Sequence, residues 1–355
     1  MQPIIDACVS FNRITPAGEH WFYAYYDNQA FSRDDRRHLG HRVPFCNRLQ
    51  APADEAELGV IDLEGGAAPR IFARTKAWNF QQGAMLQWVG DRRDTVFYNV
   101  ATATGEYRGV VHDLARNRCR ELPMALADLS IDGRRGIAIN LDRVFDFRPG
   151  YGYCQKRDPW FEQRHSAEDG VWLVDVTRAR VRQVLTMQGI WEAMAHAFPG
   201  RDCKICVNHI TLNPTADRFV LLARTFPEGE VKRWATTVYV SDLKGRLTAT
   251  LVDAAMASHY WWSGEKTLVF FMAGTAGNRL YEVNVETGVQ TVIDAAFFPD
   301  DGHCSTSPDG QWLLYDSYPR KGYRYLYLYN LRQKRGITLG GLLDMAVPVI
   351  DIRCD

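Results

Sequence analysis

His303-Cys304-Ser305-Thr306-Ser307-Pro308-Asp309-Gly310 runs into Gln311-Trp312-Leu313-Leu314-Tyr315-Asp316. After a polar connection, Tyr325-Leu326-Tyr327-Leu328-Tyr329-Asn330 follows. This stretch decides the fold. Ser-Pro-Asp-Gly reads as a tight turn, because proline fixes φ and glycine tolerates a positive one. The flanking runs are β-branched, aromatic and short, as buried strands should be. Entry strand, turn, second strand and closing strand together make one blade of a β-propeller.

The same order of elements recurs upstream. Asn213-Pro214-Thr215-Ala216-Asp217 precedes Arg218-Phe219-Val220-Leu221-Leu222, and Ser130-Ile131-Asp132-Gly133 precedes Arg134 to Ile139. Closing strands recur at 58–63, 170–176, 237–243 and 280–285. The pattern predicts six units, at about 18–67, 78–122, 125–187, 206–252, 257–294 and 301–340. Residues 345–355 read as the opening strand of a seventh, to be completed by Ile4 to Ile14. Rings of blades protect their edges by sharing strands between the two chain ends. The expectation is one all-β domain spanning 1–355, a β-propeller that is seven-bladed or has six complete blades plus a partial seventh. Helical periodicity is weak, and the best candidate is Ile190 to Phe198.

Three histidines ride on this repeat. His209, His259 and His303 each open a unit, at steps of 50 and 44 residues. That is the period of a four-stranded blade. Equivalent positions of successive blades converge on the propeller axis, so three imidazoles meeting there would hold a metal ion or a charged substrate. Cys203-x-x-Cys206-x-x-His209 also has metal-ligand spacing, although no second CxxC accompanies it. His41 and Arg42 in the first unit are candidates to line the same pocket. Of Trp261 and Trp262, one is expected to face a sugar and the other the blade core, since neighbours on a strand face opposite sides.

Bulk properties exclude several classes. Forty-two Lys and Arg balance forty-two Asp and Glu, so no net charge draws the chain to nucleic acid or an anionic membrane. No apolar window is long enough to cross a bilayer. The N-terminus has no basic segment followed by an apolar one, so no signal peptide is read, and the scattered cysteines suit reduced thiols. Both point to the cytoplasm.

The chain resembles the seven-bladed propellers of the oligogalacturonate lyase and ulvan lyase type. The resemblance is carried by residues 21–27, Gly40-His41-Arg42-Val43-Pro44-Phe45, residues 82–88, Arg148-Pro149-Gly150-Tyr151-Gly152-Tyr153, Asn208-His209, Ser258-His259-Tyr260 and Asp301-Gly302-His303. It implies β-elimination on a uronate-containing glycan. A proton leaves the carbon next to a carboxylate, and the glycosidic oxygen at the β position departs. Something must neutralise the carboxylate, a base must take the proton, and an acid must protonate the leaving oxygen. By resemblance, Arg224 pairs with the carboxylate, Tyr260 relays a proton, and His209, His259 and His303 bind a divalent ion (Zn, Mn or Ca) or shuttle protons, with Asp301 adding an oxygen. The partner implied is an acidic oligosaccharide or polysaccharide, with no nucleic acid or membrane involved; nothing in the sequence sets the oligomeric state. One departure matters. The early-blade strand where ulvan lyases carry a histidine pair reads Val96-Phe97-Tyr98-Asn99-Val100, and His112 falls on a different strand. That leaves His209 as the general base, with a non-catalytic scaffold or glycan-binding propeller as the alternative.

Overall fold

A turn of fixed form recurs at the start of four sheets. In the computed structural model, Ser307 Oγ bonds Asp309 at 2.6 Å, and Gly310 N–H closes on Ser307 C=O at 2.8 Å. Ser130, Asp132 and Gly133 do the same, as do Ser32, Asp34 and Asp35. In the fourth sheet Ala216 N–H closes on Asn213 C=O at 2.8 Å. The last position is left-handed every time, with φ of 66° at Gly310, 65° at Gly133, 55° at Asp35 and 51° at Ala216. Hydrogen bonding holds the turn even where glycine is replaced, at a cost of about 1 kcal/mol.

The structure describes residues 9–23, 25–66, 68–228 and 234–343. They form six four-stranded antiparallel sheets, each a meander with strands in sequence order. The first holds His20–Phe22, Arg37–Val43, Ala56–Asp62 and Arg70–Thr75. The second holds Gln87–Trp88, Thr95–Ala101, Tyr107–Asp113 and Arg118–Glu121. The third holds Asp128–Leu129, Arg135–Ile139, Gly170–Asp175 and Arg180–Thr186. The fourth holds Ile205–Leu212, Arg218–Thr225, Thr236–Asp242 and Leu247–Ala255. The fifth holds Ala257–Trp262, Thr267–Gly274, Gly277–Asn284 and Gln290–Val292. The sixth holds Cys304–Thr306, Trp312–Asp316, Tyr323–Asn330 and Arg335–Leu343. Among the described residues there are thus six complete blades rather than seven. Of the segments expected to build a seventh, 345–355 and 4–8 lie outside the described residues, and 9–14 contain no strand.

The chain divides into two compact units, one comprising residues 13–234 and 241–246, the other centred on 247–343. In the larger unit, facing sheets bury Leu39, Leu58, Trp78, Leu86 and Val96 in one cluster, and Phe97, Leu126, Ala138 and Val174 in the next. In the smaller unit Val269, Leu280, Phe298, Leu313 and Tyr329 form the interior.

Two helices interrupt the strands. Met187–Met194 starts three residues before the helix expected at 190, because the Thr186 hydroxyl caps Gly189 N–H at 2.9 Å. A single 3-10 turn at Ala195–Ala197 continues it. Leu141–Phe147 was not expected. Asn140 caps it through Arg143 N–H, and Pro149 forbids its continuation. This helix stands on a buried ion-pair network. Arg143 donates to Ile205 C=O at 2.7 Å and Asp158 at 2.9 Å, and to the carbonyls of Trp160, Gln163 and Arg164.

Candidate functional site

In the larger unit a β-bulge arranges the chemistry. The register of Ile205–Leu212 against Arg218–Thr225 slips between Val207 and His209: Cys206 pairs with Arg224, and His209 with Leu222. The extra residue puts Cys206 and His209, three positions apart, on one face of the sheet with Leu222 and Arg224. Alternation alone would have turned His209 away from Arg224. The imidazole stands edge-on to Tyr25 and Tyr26, with ring centroids at 4.9 and 5.9 Å. Its Nε2 lies 3.4 Å from an Asp27 oxygen.

Arg224 is buried, and its guanidinium carbon sits 5.6 Å from the Trp234 ring. Arg148 approaches the same indole at 5.4 Å and lies 4.3 Å from the Tyr151 ring, whose hydroxyl it bonds at 3.0 Å. Two guanidiniums thus share one tryptophan. Burial lowers the proton affinity of Arg224 most; Tyr151 and Tyr25 offset this, and Arg148 adds to it. An arginine nonetheless stays charged at any ordinary pH. Arg148 is placed by the C-terminal end of Leu141–Phe147, where its N–H bonds Val144 C=O. The loop after it folds back tightly. Gly152 has φ of 63°, and a Cβ there would sit 2.2 Å from Leu141 C=O, so only glycine fits. Asn79 bonds Gly152 C=O at 2.8 Å and Asn99 bonds the Tyr153 hydroxyl at 2.9 Å, pinning the loop.

A carboxyl with raised proton affinity lies against the strand that carries His209. Asp128 is half-buried and accepts the Leu212 N–H at 2.7 Å. Burial first, and the charge of Asp27 second, push its pKa up to about 8.

The smaller unit carries an imidazole pair. His259 and His303 lie with ring centroids 4.1 Å apart. Asp316 grips His303 twice, accepting its backbone N–H at 2.6 Å and Nδ1 at 2.9 Å. Burial alone would raise Asp316, but the contacts to His303 hold it below the ordinary carboxylate range. The preceding residue must be glycine, since a Cβ on Gly302 would meet Asp316 C=O at 2.2 Å. Asp301 approaches His259 Nδ1 at 3.2 Å and accepts the Ser258 hydroxyl. A carboxylate only accepts, so each ring donates its Nδ1–H to it.

These positions revise several expectations. His209 and Arg224 come together, with Tyr25, Arg148, Tyr151 and Trp234. His259 and His303 come together in the smaller unit, whereas His209 is built into the larger one. Asp301 orients His259. Tyr260 is fully buried with its ring 5.5 Å from Phe270, so it packs the fifth blade. Trp261 bonds Thr306 through its indole N–H at 3.0 Å and packs on the fifth- and sixth-blade core. His41 is buried, stacked on Phe22 at 4.8 Å, and accepts Ala84 N–H through Nε2 at 3.0 Å. Burial drives its pKa down to about 3, so it is a neutral structural imidazole. Arg42 pairs with Glu57 at 2.5 Å and Glu19 at 3.2 Å beside an open cleft on the first blade. Burial raises the thiols of Cys203 and Cys206, which disfavours the thiolates that zinc needs. Among the described residues no three His, Cys, Asp or Glu side chains are arranged to hold a metal ion. Sequence reasoning gave no role to Arg148, Trp234, Asp128 or Asp316. Arg148 and Tyr151 stood in the Arg-Pro-Gly-Tyr-Gly-Tyr motif, but Trp234 and Asp128 carried no local signal.

No family model matches the sequence, and no curated protein matches it. Solved structures do. A manganese-bound oligogalacturonate lyase superposes with a TM-score of 0.64 at 14% identity, over 99% of this chain and 88% of that one. An oligogalacturonate lyase from Vibrio parahaemolyticus gives 0.59 at 14% identity, over 96% and 85%. The tricorn protease gives 0.50 at 9% identity, over 93% of this chain and 32% of that one. At these identities the likeness shows the fold, an all-β propeller. Among the described residues no helix is long and apolar enough to cross a membrane.

Proposed function

We propose that this chain is a glycan-processing lyase performing β-elimination on uronate-containing oligosaccharides or polysaccharides. The observation that carries the reading is the pair of guanidiniums, Arg224 and Arg148, drawn to one indole, that of Trp234, in the cluster that holds His209. Planar guanidiniums match a carboxylate better than ammonium groups do.

In this mechanism Arg224, supported by Arg148, neutralises the substrate carboxylate as negative charge builds next to it. His209 takes the proton from the carbon adjacent to the carboxylate, its ring held by Tyr25, Tyr26 and Asp27. The Tyr25 or Tyr151 hydroxyl returns a proton to the departing glycosidic oxygen. Removing one such electrostatic group commonly costs about 3–4 kcal/mol in the barrier.

The propeller with TM-score 0.64 carries manganese. Here His259 and His303, with both Nδ1 atoms held by carboxylates, offer two oriented nitrogen donors. Two donors fall short of a complete centre. A divalent ion bound there would act as a Lewis acid on a carboxylate or hydroxyl oxygen.

The same cation pair also suits a glycan-binding propeller without chemistry. Incubation with pectic, ulvan-type and glycosaminoglycan oligosaccharides separates the two. Elimination creates a conjugated uronate that absorbs in the ultraviolet. Binding without that chromophore on any of the three classes favours the scaffold.

A further inference from the structure

Arginines cluster along the outer edge of the second blade. Its outermost strand, Arg118–Glu121, is exposed at every residue. In the register Thr95 pairs with Asp113 and Asp113 with Arg118, while Val111 pairs with Arg120. Arg118 and Arg120 are two apart, so they share one face of the sheet. The turn before Thr95 supplies Arg92 and Arg93, and the turn after Asp113 supplies Arg116. These residues line an open cleft of about 410 Å³.

The charge there is one-sided. Five arginines face one aspartate, Asp113, in a chain whose formal net charge is zero. Asp113 is engaged by Arg116 at 2.9 Å. The nearby carboxylates of Asp91 and Asp94 are drawn to Arg33 at 3.2 Å and Arg37 at 2.5 Å. Arg93 approaches Asp94 only at 3.9 Å, and Arg120 is steadied by a 2.5 Å bond to Val176 C=O. Among the described residues no carboxylate pairs with Arg92 or Arg118. Self-repulsion of this kind is unfavourable unless an anion joins it.

We propose that this cleft is a secondary binding site for a polyanionic glycan, which it takes through its carboxylates. Guanidinium forks fit carboxylates, and the lining is otherwise Thr95 and Val111. No aromatic side chain lines it, so it lacks the stacking platform on which single-stranded nucleic acids depend. The site belongs to a different blade from Arg224. It would hold a long acidic chain while another part of that chain is processed. The identity of the polymer rests on the uronate reading above; the anion site itself does not.

The test uses the full chain, labelled polygalacturonate and duplex DNA at low and physiological salt. The double variant R92E/R118E should weaken polygalacturonate binding at least about tenfold, whereas R92K/R118K should retain most of it. Binding by the wild type should fall steeply with salt. Turnover of a trisaccharide should be unchanged in R92E/R118E and lost in Arg224→Ala. Loss of polymer binding in R92E/R118E without turnover by any variant would overturn the lyase reading and leave the cleft standing. Unchanged polymer binding in R92E/R118E, or tighter wild-type binding of DNA than of polygalacturonate at equal salt, would overturn the cleft.

Discussion

Arg143→Met is the perturbation whose size the structure fixes best. The Arg143 side chain is 1% exposed, and its ion-pair partner Asp158 is 0% exposed. Asp169 stands 3.8 Å away, also buried. Methionine fills much of the same volume, so packing loss is small. The cost comes from Asp158, left charged and buried, and from the carbonyls of Trp160, Gln163, Arg164 and Ile205, deprived of their donor. Breaking a buried pair by removing one partner costs about 3–5 kcal/mol. At roughly 2–4 °C per kcal/mol for a unit of this size, the thermal midpoint should fall by about 10 °C. Calorimetry on the wild type, R143M, D158N and R143M/D158N gives the full cycle. The double variant should be less destabilised than the sum of the singles by at least about 2 kcal/mol, because position 158 then strands no charge. Elimination activity should drop in R143M as well, since the helix that places Arg148 rests on this network. A single-variant cost below about 1 kcal/mol, or additive singles, would refute the argument.

Three further predictions follow from the clusters. Arg224→Ala should lower kcat/KM on uronate oligosaccharides by about a hundredfold or more, and Arg224→Lys should recover only part of it, because a point charge replaces a fork; steady-state kinetics on the two variants decide this. Asp128 is raised above its unfolded value, so the folded state binds the extra proton and stability declines as pH rises from about 4 to about 8. Asp128→Asn should flatten that slope in urea titrations taken across the range. His41 shows the opposite sign: its folded pKa of about 3 lies below the unfolded value of 6.5, so its contribution is full above 6.5 and is lost as pH falls toward 3. His41→Gln keeps an acceptor for Ala84 N–H and should remove that acid-side loss in the same titrations.

The blades were legible because their turns carry a local code. Ser-Pro-Asp-Gly at 307–310 and Ser-Ile-Asp-Gly at 130–133 state it openly, and the strands between turns are apolar enough to leave little choice. Side-chain direction was harder to read. His41, Tyr260 and Trp261 have residue types that suit a sugar site, but only packing against Phe22, Phe270 and Thr306 shows that they face blade interiors. His209 and Arg224 share a face because of one extra residue near Asn208, and a bulge leaves no mark in the sequence. Arg148 depends on a seven-residue helix whose stability comes from Arg143 below it rather than from periodicity. Asp316 reaches His303 across a strand pair, and Asp128 reaches the His209 strand from another blade; both are long-range choices that no spacing encodes.

The central claim is that the Arg224–Arg148–His209 cluster removes a proton beside a uronate carboxylate. Its most direct test is ultraviolet absorbance of the conjugated product, followed with wild type, Arg224→Ala and His209→Ala on the same oligosaccharide. The account predicts a rising signal for the wild type and near silence for both variants, with all three folded. A wild type that stays silent on every uronate glycan, or a His209→Ala protein as active as the wild type, would contradict it.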